Sequence, residues 1–442
     1  MLVKYLKGLH ESDIIMKNTR IISTVLLLLM LFSILSLTSC DLVNSAFYFF
    51  GKNYIFTETE GGYVVQPIPI STSLEGLAKK VLTKVSIEIP SEYKGEPVVG
   101  IKGFSIYPAL VDVTIPDTIK YIEVDAFGPL VQYNEYADAL YLGNDKNPYV
   151  ALIKVKNTDI TSIEIHPDTK CIANERVFSD CTALTSITFK GNVPSFPYNI
   201  IPCLSTIILD DGVTSVENGA FEGCASLTNL TIGKSVEYID SDAFNGCNRL
   251  STITLRGEWF RKYFFDEIPR LNTIIIENGV TEIGNQVFSG CKSLESVTIP
   301  DSVTSIGPYA FANCTALKSI TIPDAVTSIG SYAFANCTSL ENLTIGESVT
   351  SIGDHAFKDC TSLKSVKIPS SVTIIEKAAF DGCSSMTKVV FEKTWDWYFN
   401  SHREIPRHLL EAPDHAADAL AGSLYGGFYE GCFLRNYTWK RR

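Results

Sequence analysis

Cysteine returns every 23 residues at Cys291, Cys314, Cys337, Cys360 and Cys383, each three positions ahead of a large apolar residue: Leu294, Leu317, Leu340, Leu363 and Met386. A fixed period between about 20 and 29 residues, with apolar residues in constant slots, specifies stacked coils. A single unit of that length cannot bury its own apolar side, so successive units must bury it for one another.

One unit, residues 338–360, reads TSLENLTIGESVTSIGDHAFKDC, with inward slots at Leu340, Leu343, Ile345, Val349, Ile352, Ala356, Phe357 and Cys360. The columns run on through Phe288, Phe311, Phe334, Phe357 and Phe380, and through Ile283, Ile306, Ile329, Ile352 and Ile375. Alternation around Leu343 and Ile345 predicts a short strand, with Asn342 and Thr344 facing out. Proline or glycine then ends it, at Pro300, Pro323, Gly346 and Pro369, where a missing N–H or a free φ stops a ladder. The residue before each cysteine is Gly223, Gly246, Gly290, Asn313, Asn336, Asp359 or Gly382, types that tolerate a left-handed backbone at the end of a helical turn.

Anchor residues of this kind recur from Leu110 to Met386 and indicate about a dozen coils. Residues 136–156 break the spacing with two alternating runs around Gly143, Asn144 and Asp145, which reads as a β-hairpin inserted at about residues 130–156. The expected fold is therefore a leucine-rich-repeat solenoid of α/β type, rich in parallel strands with short helical turns, that carries an inserted hairpin. Residues 81–411 form the repeat domain on this reading, residues 40–80 a linker and cap, and residues 412–442 a C-terminal cap.

The first 39 residues have a different character. Met16, Lys17 and Arg20 precede an apolar run from Ile21 to Leu37, followed by Thr38, Ser39 and Cys40. This resembles a bacterial lipoprotein signal, which implies a true start at Met16, removal of residues 1–39 and lipidation of Cys40. The competing reading is an uncleaved anchor, because the run sits at the lower limit of a membrane span.

Removing Lys4, Lys7, Lys17 and Arg20 together with Glu11 and Asp13 takes away +2, so the net charge goes from −12 to −14. An acidic chain argues against nucleic-acid partners, which need clustered basic surface. Eleven cysteines remain after Cys40. Parallel inward side chains on successive coils suit buried free thiols better than disulfides, and a line of single cysteines does not converge as a zinc site must. His402, His408, Glu411, Asp414 and His415 are the better metal candidates, but Pro406 and Pro413 interrupt any shared helical face. The expectation is no metal and no cofactor.

No histidine lies in a recognisable catalytic motif, and no phosphate loop or nucleophile elbow is present. The expectation is a non-enzymatic protein. Candidate ligand-binding residues are the outward strand positions Ser296, Thr298, Ser319, Thr321, Asn342 and Thr344. The same types also simply favour a half-exposed strand. Two irregular units, residues 255–270 and 391–407, concentrate aromatics, and Trp259, Phe260, Tyr263, Trp395, Trp397 and Tyr398 are further candidates. They serve either as exposed anchors at an interface or as core filling where the Val/Ile pair is absent.

The pattern Leu-x-x-Ile-x-Ile-Pro-x-x-Val-x-x-Ile-Gly-x-x-Ala-Phe-x-x-Cys, read from Leu317 to Cys337, resembles the BspA-like, Treponema-type leucine-rich repeat over residues 81–411. The resemblance implies a bacterial surface protein, in some members an adhesin for host matrix proteins or other bacteria. The leading expectation is a lipid-anchored cell-surface protein, facing outward rather than into the periplasm, that binds proteins or glycans. A periplasmic assembly scaffold is the first alternative, kept open by Asp41 directly after the lipidated cysteine. Glycan capture through the aromatic units is the second.

Overall fold

Leucine and isoleucine at alternate positions give each coil a strand of two to five residues, and its neighbours one period away supply the hydrogen bonds it lacks alone. The computed structural model describes residues 54–67, 85–106, 110–257, 265, 268–392, 397–399 and 439–441. The chain divides into two units: residues 1–133 with 142–146, and residues 134–141 with 147–442.

In the first unit, strand Tyr54–Thr59 pairs antiparallel with Gly62–Pro67 through a turn at Gly61 and Gly62, whose φ values are 82° and 145°. Gly62–Pro67 lies parallel to Glu96–Ile101, which in turn lies parallel to Tyr121–Ile122. Val85–Glu88 and Leu110–Thr114 form a second parallel pair. The expected inward residues Leu110, Val113, Ile115, Ile119, Ile122 and Ala126 are all buried, and Phe127 is half-buried.

The second unit is a solenoid. Strands Ser162–Ile165, Ser186–Phe189, Thr206–Leu209, Asn229–Ile232, Thr252–Leu255, Thr273–Ile276 and Ser296–Thr298 form one parallel sheet. Ser319–Thr321, Asn342–Thr344, Ser365–Ile368 and Lys388–Phe391 continue the same side as a four-stranded sheet. A second side is built from the two-residue strands Glu282–Ile283, Ser305–Ile306, Ser328–Ile329, Ser351–Ile352 and Ile374–Ile375. Trp439–Arg441 joins the end of that sheet antiparallel to Ile374–Ile375 and to Trp397–Phe399.

The inward columns match the periodicity. Leu294, Leu317, Leu340 and Leu363 are fully buried, as are Phe311, Phe334, Phe357 and Phe380, whose rings stack at centroid spacings of 5.2 Å. Phe265, from the first aromatic unit, is also buried and stacks on Phe288 at 5.7 Å.

The third side is less helical than its sequence suggests. Among the described residues the helical content is four short 3-10 turns, at Phe104–Ile106, Glu175–Phe178, Tyr198–Ile200 and Ser241–Phe244, and the 3-10 residue Phe265. In the regular coils the Ala-Phe segment instead alternates left-handed residues with ordinary ones. Asn313, Asn336 and Asp359 have φ of 63°, 59° and 56°, as their residue types predict. A second left-handed position, at Gln286, Tyr309, Tyr332, His355 and Ala378, has no such signature in sequence. Two reversals in so short a segment turn its N–H groups out of a helix and into the next coil. Thus the Phe334 N–H reaches the Ala356 carbonyl and the Asn336 N–H the Lys358 carbonyl, both at 2.7 Å.

The strand pair Asn134–Tyr136 and Ala139–Leu142 is antiparallel and turns at Ala137 and Asp138, with Ala137 at φ 48°. Sequence reading placed the turn at Gly143, Asn144 and Asp145. Gly143 instead makes a parallel bridge to Thr114, and Asn144 is held by the Ile115 carbonyl and the Asp117 carboxylate at 3.0 and 2.9 Å. Tertiary bonding has taken over the strongest local turn signal.

The ten cysteines among the described residues are free, and all but Cys203 are buried. Each regular ladder thiol has a use. Cys314, Cys337, Cys360 and Cys383 donate from Sγ to the carbonyls of Phe288, Phe311, Phe334 and Phe357, each at 3.2 Å.

Candidate functional site

Serine and threonine are abundant on this chain, and the fold sorts them into two groups. The first group is consumed by the coils themselves. The hydroxyls of Thr304, Thr327, Thr350 and Thr373 donate to the carbonyls of Thr281, Thr304, Thr327 and Thr350 at 3.0–3.2 Å. Thr185, Ser205, Thr228 and Ser251 do the same along the edge of the first sheet, and Thr315, Thr338 and Thr361 along a third line. These hydroxyls satisfy coil-edge carbonyls and hold the stacking distance.

The second group faces out from the strands. Ser296, Thr298, Ser319, Thr321, Asn342 and Thr344 are all exposed. Ser319 stands beside Asn342 and Thr321 beside Thr344 in the parallel register, so their side chains form two straight rows. Among the described residues none of the six uses its side chain in an intramolecular hydrogen bond. The rows extend beyond the residues singled out from sequence, to Ser186 and Thr188, Thr206, Thr231, and Thr252 and Thr254. The period-two pattern was already present in those earlier strands, but irregular coil lengths hid the shared column.

Charged side chains bound this face. Lys318 pairs with Glu295 and Lys364 with Glu341, both at 2.9 Å, so charge alternates along the rim one coil at a time. Lys364 is the main cause of a Glu341 pKa held below the usual carboxylate value. Lys367 contacts Glu392, and that hydrogen bond raises the lysine and lowers the carboxylate. These groups are largely exposed, and such pairs contribute little to stability. Their effect is on which surface potential approaches the face.

At the start of the face the inserted strands add an aromatic cluster. The Tyr149 ring stacks on His166 at 3.8 Å, and Tyr136 meets the same imidazole edge-on at 4.7 Å. The Tyr136 hydroxyl lies 3.3 Å from Glu164, an outward residue of the first strand. Burial is the larger influence on His166 and lowers its pKa, with Asp168 opposing. Next to it, Lys190 donates to Asp210 at 2.7 Å, which raises the lysine and lowers the carboxylate. Arg256 reaches the same Asp210 at 3.4 Å across the intervening coil, whose residue at that point is Gly233. A Cβ there would lie 2.7 Å from the Leu209 carbonyl oxygen. The cluster is not legible in the sequence, because its members come from an insertion and from several separate coils, with Arg256 meeting Asp210 from 46 residues away.

The aromatic candidates are not brought to this face by anything described. Trp259, Phe260, Tyr263 and Trp395 lie outside the described residues, as does Cys40. Trp397 and Tyr398 belong to strand Trp397–Phe399, which pairs with Trp439–Arg441. His402, His408, Glu411, Asp414 and His415 are likewise outside the described residues, and among those described no cluster of His, Cys, Asp or Glu has the form of a metal site. No helix of the described residues is long and apolar enough to cross a membrane.

The model of the BspA-type leucine-rich repeat region, with six copies, matches residues 154–261, 198–318 and 258–387, together more than half of the chain. The chain belongs to the BspA-type leucine-rich-repeat family. A search of curated proteins finds no match. Among solved structures, this BspA-type chain is similar to a leucine-rich repeat protein from Bacteroides ovatus, with 21% identity over 78% of this chain and 100% of that one and a TM-score of 0.34. A leucine-rich repeat protein from Eubacterium ventriosum gives 17% identity, 76% and 94% coverage and a TM-score of 0.33. The T. pallidum leucine-rich repeat protein gives 21%, 53%, 82% and 0.27. Membership of the BspA-type family supports a repeat-based role in protein binding, the use to which extended solenoid faces are generally put.

Proposed function

We propose that this BspA-type protein is a non-catalytic, lipid-anchored surface protein that binds protein partners through the outward face of its parallel strands, in adhesion. The observation that carries the proposal is the division among its hydroxyl side chains. Those on the coil edges are committed to neighbouring carbonyls, whereas the rows at Ser319 and Asn342 and at Thr321 and Thr344 keep their donors and acceptors for another molecule. A flat, rigid array needs little reorganisation on binding, which lowers the entropic cost of association. The anchor rests on the resemblance of residues 16–40 to a lipoprotein signal.

The test has two parts. Protease added to intact cells digests the repeats if they face outward; protection until lysis sinks the adhesion reading and favours a periplasmic scaffold. Thr321→Arg with Thr344→Arg places two bulky cations in the rows. Loss of captured protein partners with an unchanged melting temperature supports the face, and unchanged capture removes it.

A further inference from the structure

Six successive coils, whose strands begin at Thr273, Ser296, Ser319, Asn342, Ser365 and Lys388, carry a surface pattern that is complementary to its own reversal. Just before the four middle strands the rim reads Glu295, Lys318, Glu341 and Lys364, all exposed. Reversed, this row sets each acid against a base. The large apolar side chains exposed on the strand face, among the described residues, are Ile275 in the first of the six coils and Val390 in the last, at 43% and 39%. Both stand at the third position of their strands, as Thr321 and Thr344 do, so the same reversal sets them against each other.

We propose that this face pairs with the same face of a second copy of the chain, antiparallel, about a two-fold axis that runs along the strands between the coils of Lys318 and Glu341. The pairing rests on the reading of the strand face as a binding surface and supplies its partner. Glu295 meets Lys364 of the second copy, Lys318 meets its Glu341, and Ile275 covers its Val390. Between them Ser319 meets Asn342 and Thr321 meets Thr344, side chains that the fold leaves unused. A slip of one coil would set Lys318 or Glu341 against its own copy, so only this two-fold register pairs all four charges, and opposed like charges are costly at an interface. The pairs within the chain, Lys318 with Glu295 and Lys364 with Glu341, leave these side chains 51–68% exposed, and an ammonium has donors to spare. The axis also brings Glu277 toward Glu392, and each already has a cation, Arg256 and Lys367.

Face-to-face pairing needs a flat support. The rings of Phe311, Phe334, Phe357 and Phe380 behind the face turn by only 6°, 2° and 10° from coil to coil. Antiparallel stacks have their first coils at opposite ends of the pair, which suits a contact between two facing cell surfaces. Six coils at about 4.8 Å by four residues at about 3.3 Å give a footprint of roughly 400 Å² per copy, about half of a standard interface, so the pair is weak in dilute solution and gains from an array of copies.

The test is sedimentation equilibrium of the full chain from micromolar to millimolar concentration, which should show a monomer–dimer equilibrium that weakens with added salt. Lys318→Glu and Glu341→Lys each oppose like charges twice across the axis and should each weaken the dimer by about tenfold or more. An equimolar mixture of the two variants, or both substitutions in one chain, should restore it, a result that misfolding would not give. Ile275→Thr should weaken it with an unchanged melting temperature. Monomer at every concentration overturns the pairing, as does a dimer indifferent to the charge reversals. Either outcome leaves the strand-face reading standing, since that reading fails only on unchanged capture of other proteins by the Thr321→Arg, Thr344→Arg variant.

Discussion

The Sγ of Cys337 lies 3.2 Å from the carbonyl oxygen of Phe311, 26 residues earlier, and the Cys314 N–H reaches the same oxygen at 3.3 Å. The carbonyl thus has both of its lone pairs occupied by donors from two different coils. A cysteine at this point is small enough for the core and still a donor, a combination alanine and valine lack.

Cys337→Ala should accordingly destabilise the protein by about 1–2 kcal/mol, from a lost weak hydrogen bond and a small cavity. Cys203→Ala, at an exposed site, should stay within about 0.5 kcal/mol. Urea midpoints of the two variants check this, and equal losses would contradict it.

Burial pushes the Cys337 and Cys171 thiols up to about 12 from an ordinary value of 9.0. A thiol whose pKa is raised on folding stabilises the folded state fully below the unfolded value, and that contribution disappears as pH climbs from 9 through the folded value. Alkaline unfolding should therefore set in above pH 9 and strengthen toward 12, with each such thiol contributing on the order of 4 kcal/mol across the window. At pH 8 iodoacetamide should modify Cys203 and spare the ladder until denaturant is added, as read by mass spectrometry of the peptides.

Phe334 is fully buried between Phe311 and Phe357. Its replacement by alanine should cost about 3–5 kcal/mol. Lys318→Ala removes only an exposed pair with Glu295 and should cost under about 0.5 kcal/mol. Calorimetric melting of both variants measures the contrast between an inward column and the rim of the outward face.

Tyr332 offers a test of backbone strain separated from side-chain loss. Alanine and glycine both delete the ring and its stacking on Tyr309 and His355. Only glycine occupies φ 58° without the penalty of roughly 1–2 kcal/mol that an L side chain brings there. Tyr332→Gly should be more stable than Tyr332→Ala by about 1 kcal/mol, the reverse of the usual order, and the same ranking in the opposite sense would show that this backbone relaxes on substitution.

Much of this was legible residue by residue. Gly223, Gly246, Asn313, Asn336, Asp359 and Gly382 announce their left-handed conformation because their types tolerate it locally. Tyr309, Tyr332 and His355 announce nothing, since their conformation is imposed by bonds to the following coil. The candidate face was partly legible. Alternation showed that Ser319, Thr321, Asn342 and Thr344 point outward, but not that Thr304, Thr327 and Thr350, of the same chemical type, have their hydroxyls engaged. Hydrogen-bond occupancy is a relation between coils, and a column of identical letters does not distinguish the two rows.

The sequence by itself determined the period, the inward columns of Leu, Ile and Phe, and the membership in a solenoid architecture, because burial of apolar side chains depends only on their spacing along the chain. Tertiary structure alone decided where the inserted strands turn, which hydroxyls remain available, that Arg256 meets Asp210 over Gly233, and that three rings line up before Ala378. Each of these is a distance between residues brought together by coil register. Register is set by the sum of all the cross-coil hydrogen bonds rather than by any one segment.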